Sequence, residues 1–171
     1  MKNIVLIGYM GAGKTTVGAV IASYSGLGFI DTDKYIVNRV HRSIKKIFEE
    51  DGEKTFRRME NRLCRFLQHQ DNLVIATGGG VILNDDNMWR LKGNSVVVYI
   101  KNNIKTLYER AKKTETRPLA RDYGEFIKRF VDREPLYEKY ADIIINAEYK
   151  SVRDLAGEIV FAVLKFNETR I

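Results

Sequence analysis

Ile4-Val5-Leu6-Ile7-Gly8-Tyr9-Met10-Gly11-Ala12-Gly13-Lys14-Thr15-Thr16 decides how the rest of the chain is read. Four apolar residues run straight into a G-x-x-x-x-G-K-[ST] pattern, and Val17, Val20, Ile21 and Tyr24 follow at helical spacing. Strand, glycine-rich turn and helix in that order form a phosphate-binding loop. The glycines let the backbone curl so that its amides point inward, and the helix amino terminus adds partial positive charge. A chance glycine-rich turn lacks the flanking strand and helix. Gly11, Ala12, Gly13, Lys14, Thr15 and Thr16 are therefore the expected contacts to a nucleotide. Lys14 should neutralise the β and γ phosphates of ATP, and the Thr15 hydroxyl should be a ligand of Mg²⁺.

Outward from this loop, short apolar runs recur at Gly28–Ile30, Leu73–Ala76, Val96–Ile100 and Ile143–Ile145. With Ile4–Ile7 they read as five buried strands. Between and after them, amphipathic patterns such as Ile104, Leu107, Tyr108, Ala111 and Leu155, Ile159, Val163, Phe166 read as helices. Strands alternating with helices predict an α/β fold with a mostly parallel sheet covered on both faces, and ligands at the carboxyl ends of its strands. Two regions interrupt the alternation. Between Lys34 and Gln70 two helical patterns follow strand two with no strand between them, as in an inserted helical subdomain. From Lys112 to Gly124 the chain is polar and charged, with Pro118, which suits either a mobile flap or a plain exposed loop.

A phosphate loop also needs an acidic group near the metal. Strand two ends in Asp31-Thr32-Asp33, and in an extended segment both carboxylates leave the same face. Asp31 is the candidate for Mg²⁺, through a water because that ion sheds its hydration shell reluctantly. Asp33, one step further out, could accept a proton from a substrate hydroxyl. The pattern leaves open the alternative that an aspartate caps a helix beginning near Lys34.

Composition narrows the class. The chain of 171 residues suits a single domain, 1–171. No window approaches the roughly 20 continuous apolar residues of a membrane span, so no membrane partner is expected. Nor is there a leader-like pattern ahead of the first strand, and a cytoplasmic location is the expectation. The one cysteine, Cys64, excludes an internal disulfide and lies in an apolar helical pattern, as a packed thiol. The excess of 29 Lys and Arg over 22 Asp and Glu, a net charge of +7, is scattered along helices, which favours a solvated surface over a nucleic-acid partner. Trp89 and Met88 read as packing residues, His41 and His69 as solvated helix positions.

Further motifs complete a resemblance. Gly52-Glu53-Lys54-Thr55-Phe56-Arg57-Arg58-Met59-Glu60, Val74-Ile75-Ala76-Thr77-Gly78-Gly79-Gly80, Arg117-Pro118-Leu119 and Arg133-Glu134-Pro135-Leu136-Tyr137 follow the phosphate loop and the Asp-x-Asp in order. Together these resemble the shikimate kinase family, from the first strand to about Tyr140. The resemblance implies a three-layer αβα P-loop NTPase fold with a five-stranded parallel sheet, a substrate-binding helical subdomain at 34–70 and a lid at 112–124. It implies ATP-dependent phosphorylation of the 3-hydroxyl of shikimate, with Mg²⁺, by an enzyme expected to act as a monomer. It also implies that Asp33, Arg57, Gly79 and Arg133 hold shikimate, that Arg117 reaches the ATP phosphates and that Arg110 lies along the adenine; the bare backbone of Gly78, Gly79 and Gly80 would let the ring come close and offer amide donors. Catalysis would then fall to Asp33, Lys14 and Arg117.

The chemistry fits those residue types. A guanidinium fork matches the two oxygens of a carboxylate, so Arg57 and Arg133 suit one end of shikimate and Asp33 the hydroxyls at the other. Arg57 could equally pair with Glu60 at i+3, and that pairing is compatible with the clamp. Arg121 is a neighbouring alternative to Arg117. After strand five many shikimate kinases carry an Asp-Thr pair and then a proline, which line the adenine. Asn146-Ala147-Glu148-Tyr149-Lys150-Ser151-Val152 has neither feature, so the adenine contacts of this chain do not follow from the resemblance. The rival readings are another small-molecule P-loop kinase, such as a gluconate kinase, and a nucleotide-binding regulator without catalysis.

Overall fold

The five apolar runs form strands Asn3–Ile7 (β1), Gly28–Asp31 (β2), Leu73–Ala76 (β3), Ser95–Lys101 (β4) and Ile143–Asn146 (β5), each within one residue of its expected limits. The computed structural model describes residues 2–113 and 122–169. All strands pair in parallel, in the order β2-β3-β1-β4-β5, with Val5 opposite Ile75 on one side and Val97 on the other. β1 is buried along its whole length and β4 as far as Ile100, as expected for central strands covered on both faces.

The helices are Lys14–Ser25 (α1), Thr32–Val40 (α2), Ile44–Asp51 (α3), Glu53–Leu67 (α4), Asp85–Gly93 (α5), Ile104–Lys112 (α6), Tyr123–Tyr140 (α7) and Val152–Glu168 (α8). From β1 the chain crosses to the β2 edge, and from β3 it crosses back past β1 to β4 and then β5. Right-handed crossovers in opposite directions put α1 on one face and α5 and α7 on the other. α8 packs on α1, and α4 packs on α5. The direction of winding reverses at β1, so the carboxyl end of β1 is the switch point where a ligand crevice opens. The phosphate-loop sequence begins there.

Three helices, not two, follow β2. The expected pair missed the break at His41, which is exposed and left-handed at φ 54°. Ser43 then caps α3 by accepting from the Lys46 amide at 3.2 Å, and Gly52 at φ 78° separates α3 from α4. Met88 packs in the core, but Trp89 is 65% exposed, against expectation. Adjacent residues on a helix point about 100° apart, and α5 turns Asn87, Met88 and Leu91 inward. Cys64 is fully buried, and burial pushes its thiol up to about 12, so it is a packed side chain. Among the described residues no helix is long and apolar enough to cross a membrane.

Candidate active site

Gly8 to Gly13 form the turn between β1 and α1. Gly11 adopts φ 87°, and a β-carbon there would collide with the Leu107 carbonyl of α6, so only glycine lets the turn sit this close to α6. Tyr9 anchors the loop from below. Its hydroxyl donates to the Phe126 carbonyl at 3.0 Å, and its ring packs edge-on against Phe126 and Phe130 of α7. Lys14 opens α1 and is buried, and its ammonium donates to the carbonyls of Gly8 at 2.6 Å and Tyr9 at 3.1 Å. The loop thus holds a desolvated cation among its own backbone groups.

Thr15 and Asp31, the two residues expected at the metal, lie side by side, with the Thr15 hydroxyl donating to Asp31 Oδ2 at 2.5 Å. The other oxygen, Oδ1, accepts from the Lys34 amide at 3.0 Å and caps α2. The capping alternative is thus realised at Asp31. Because the cap turns the chain into a helix at Thr32, Asp31-Thr32-Asp33 is not an extended segment, and Asp33 stands in the first turn of α2. A hydroxyl beside a carboxylate is a hard-oxygen pair that fits Mg²⁺, an ion that takes few protein ligands and keeps several waters.

A second cluster beside the loop is assembled from four elements. Asp33 of α2 lies against the buried Gly78, whose absent β-carbon would collide with Asp33 Oδ1 and stand 3.2 Å from Glu60 Oε1. Arg57 of α4 comes so close to Gly80 that a β-carbon there would stand 2.5 Å from both Nη atoms. Gly79 adjoins the phosphate loop, its β-carbon position being 3.6 Å from the Met10 amide nitrogen. From α7, the Tyr137 hydroxyl donates to the Gly79 carbonyl at 2.6 Å and Arg133 Nη1 donates to the same oxygen at 3.5 Å. From α2, Thr32 Oγ1 accepts from the Gly78 amide at 2.9 Å. The triple glycine is therefore held by side chains from α2 and α7 while α4 presses on it.

Arg57 is gripped on both sides: Nη1 meets Glu60 Oε2 at 3.1 Å and Nη2 meets Glu53 Oε1 at 2.7 Å. Burial of the guanidinium opposes its charge, yet the Glu60 and Glu53 carboxylates hold it above its ordinary value. Glu60 is almost wholly buried, and Oε1 meets no hydrogen-bond donor among the described residues. Burial pushes Glu60 up to about 7, outweighing Arg57, which pulls it down, and the Asp33 carboxylate adds to the rise. A carboxyl that titrates near neutrality thus stands behind the arginine and the aspartate of the site.

Gly11, Ala12, Gly13, Lys14, Thr15, Thr16, Asp31, Asp33, Arg57, Gly78, Gly79, Gly80 and Arg133 all fall at the carboxyl edge of the sheet around β1, β2 and β3 or on the helices facing it. Arg110 is an exposed residue of α6, the helix on which the loop rests. Arg117, with its neighbour Arg121, lies outside the described residues. Of the expected lid at 112–124, Lys112 closes α6 and Tyr123 opens α7. Sequence reasoning did not single out Thr32 and Tyr137 as positioning residues. Tyr137 could have been found, since it follows Arg133 by one helical turn on the same face.

Comparison with known proteins gives the family. The family pattern described as shikimate kinase matches residues 10–164. A shikimate kinase of Caldanaerobacter subterraneus subsp. tengcongensis is 39% identical over 168 residues, 96% of this chain and 98% of that protein. The structure of a shikimate kinase from Acinetobacter baumannii in complex with shikimate superposes with a TM-score of 0.92 at 35% identity, covering 96% of this chain and 94% of that one. A gluconokinase from Sinorhizobium meliloti, at 16% identity and a TM-score of 0.68, covers 98% and 94% of the two chains and shares the fold alone.

Proposed function

The chain belongs to the shikimate kinase family, and on that premise we propose that it transfers the γ-phosphoryl group of ATP to the 3-hydroxyl of shikimate, giving shikimate 3-phosphate and ADP in aromatic amino-acid biosynthesis. The observation that carries this reading is the convergence of Asp33, Arg57, the Gly78–Gly80 backbone and Arg133, from four separate elements, against the phosphate loop. A ring with one carboxylate and several hydroxyls matches that set. Arg57 and Arg133 grip the carboxylate, the bare backbone of the glycines lets the ring approach, and Asp33 receives the reacting hydroxyl.

Phosphoryl transfer leaves the protein little covalent work, so most acceleration comes from alignment and charge neutralisation. Asp33 accepts the hydroxyl proton as the hydroxyl oxygen bonds to the γ phosphorus and the bond from that phosphorus to the ADP oxygen breaks. Lys14 exchanges its contacts with the Gly8 and Tyr9 carbonyls for the β and γ phosphates. Thr15 and Asp31 are the residues that would hold Mg²⁺, which when bound offsets negative charge on the phosphate oxygens. Arg117, in the segment of sequence between α6 and α7, adds a cation to the transferring group, and the helices of 34–70 form the acceptor subdomain.

The test is ADP release from MgATP with shikimate, with gluconate and with no acceptor. Stimulation by shikimate alone is the expected result. Stimulation by gluconate alone would keep a kinase and reject this acceptor, and MgATP binding without turnover would point to a regulator.

A further inference from the structure

Arg57 turns towards the site, and the other cations of α4 share a different face. Lys54, Arg58, Arg62 and Arg65 are all exposed and follow one another at i, i+4, i+8 and i+11, within an arc of about 80° opposite the buried Phe56, Leu63 and Leu67. Among the described residues none of the four forms an ion pair. Arg58 donates to Thr55 Oγ1 at 3.0 Å, while the carboxylates of Glu53 and Asp86 are taken by Arg57 and Arg90. α3 shows the ordinary pattern of a solvated helix, with Lys45 set against Glu49 and Lys46 against Glu50 one turn on. Like charges one turn apart work against a helix, so α4 carries an uncompensated face. Cations that are scattered along the sequence are gathered here by helix phase.

Attraction of small anionic substrates does not account for this face. Arg65 lies about 12 Å further along the axis than Arg57, at about 1.5 Å per residue, beyond the ~8 Å over which physiological salt screens exposed charges. The stripe leads away from the site and calls for an extended polyanion. A helix lying on a lipid surface needs a broad apolar face beside its cations. Among the described residues of α4, Phe66, at 50%, is the one large apolar side chain that is exposed. Cations repeating every turn, about 5–6 Å apart at their β-carbons, suit the successive phosphates of an extended strand, and a single exposed ring suits a base. We propose that the outer face of α4 docks single-stranded nucleic acid, with Lys54, Arg58, Arg62 and Arg65 on the phosphates and Phe66 stacked on a base. The surface is separate from the kinase site, so the proposal stands whatever the acceptor is.

The test is fluorescence anisotropy of a labelled oligodeoxythymidine of about 15 nucleotides. It is titrated with the wild type, with the triple variant Arg58→Gln, Arg62→Gln, Arg65→Gln, with Phe66→Leu, and with Lys2→Gln, Lys128→Gln, Lys165→Gln, which removes the same charge from exposed positions elsewhere. Glutamine keeps helix propensity close to that of arginine, and an unchanged Tm shows that each variant is folded. The wild type should bind with a Kd of about 10⁻⁴ to 10⁻⁶ M at physiological salt, and log K should fall by about 3 per decade of salt, as four contacts to a single strand require. The arginine variant should bind at least about tenfold more weakly with a slope reduced by about 2, and Phe66→Leu about fivefold more weakly with the slope unchanged. The lysine variant should stay within about twofold of the wild type. Equal losses in the two triple variants would reduce the attraction to net charge and overturn the proposal. So would a wild-type Kd weaker than about 1 mM, or binding to phosphatidylserine vesicles without binding to the oligonucleotide.

Discussion

The groups proposed to face the nucleotide lie between Gly8 and Thr16, whereas the proposed acceptor side draws Asp33 from α2, Arg57 and Glu60 from α4, three glycines from the turn after β3 and Arg133 from α7. The loop works mainly through its backbone, which is why its sequence is short and stereotyped. It does use long-range support, since Tyr9 is tied to Phe126 and Gly11 rests on Leu107, but these contacts hold a conformation that the glycines already favour. The acceptor side works through side chains separated by up to a hundred residues of chain. Its precision depends on packing: Glu60 behind Arg57, and Thr32 and Tyr137 on either side of the triple glycine. One half of the site therefore depends chiefly on a short stretch of chain braced by α6 and α7, and the other can be damaged from four elements.

The sharpest way to break this comparison is to remove one charge from each half. Lys14→Met should lower turnover by about 10³-fold and weaken MgADP, because no other described side chain of the loop supplies that cation. Asp33→Asn should keep wild-type MgADP binding and lose turnover by roughly 10²-fold or more, and robust activity there would remove Asp33 from its role. Arg57→Ala should raise the KM for the acceptor about 10- to 100-fold with a smaller effect on kcat, while an unchanged KM would count against the clamp.

Smaller effects probe the support behind the arginine. The folded-state pKa of Glu60 is raised, so its contribution to stability is present below its ordinary value of 4.5 and is lost as pH rises through about 7. Relative to Glu60→Gln, the wild type should lose thermal stability between pH 5 and pH 8; parallel Tm curves would mean that Glu60 does not titrate in that window. Trp89→Ser should change stability by no more than about 0.5 kcal/mol and leave activity unchanged, since that ring faces solvent.

Legibility follows the same division. β1, β3 and β4 were readable to within a residue because central parallel strands are buried on both faces and appear as uninterrupted apolar runs, whereas β2 and β5, expected to be buried as well, are part-exposed edge strands that showed only as short apolar runs. The helices between β2 and β3 were less so. Their break depends on a left-handed His41 and a serine cap at Ser43, neither of which disturbs the apolar spacing. Asp31 and Asp33 were recognised as a pair, but the extended geometry ascribed to them was displaced by the cap that Asp31 itself makes. Trp89 was assigned to packing by residue type alone, and the helix phase of α5 decided otherwise.

The amino-acid sequence by itself determined the phosphate loop, the parallel α/β architecture and the order of the family motifs. Those depend on local backbone preferences and on which residues are apolar, and both are written along the chain. Only the tertiary structure decided that Glu60 is buried with a carboxyl titrating near 7, that Thr15 bonds to Asp31 and that Gly79 receives Tyr137. Desolvation and hydrogen bonding between distant residues depend on what the fold brings alongside each group, and no spacing within the chain encodes that.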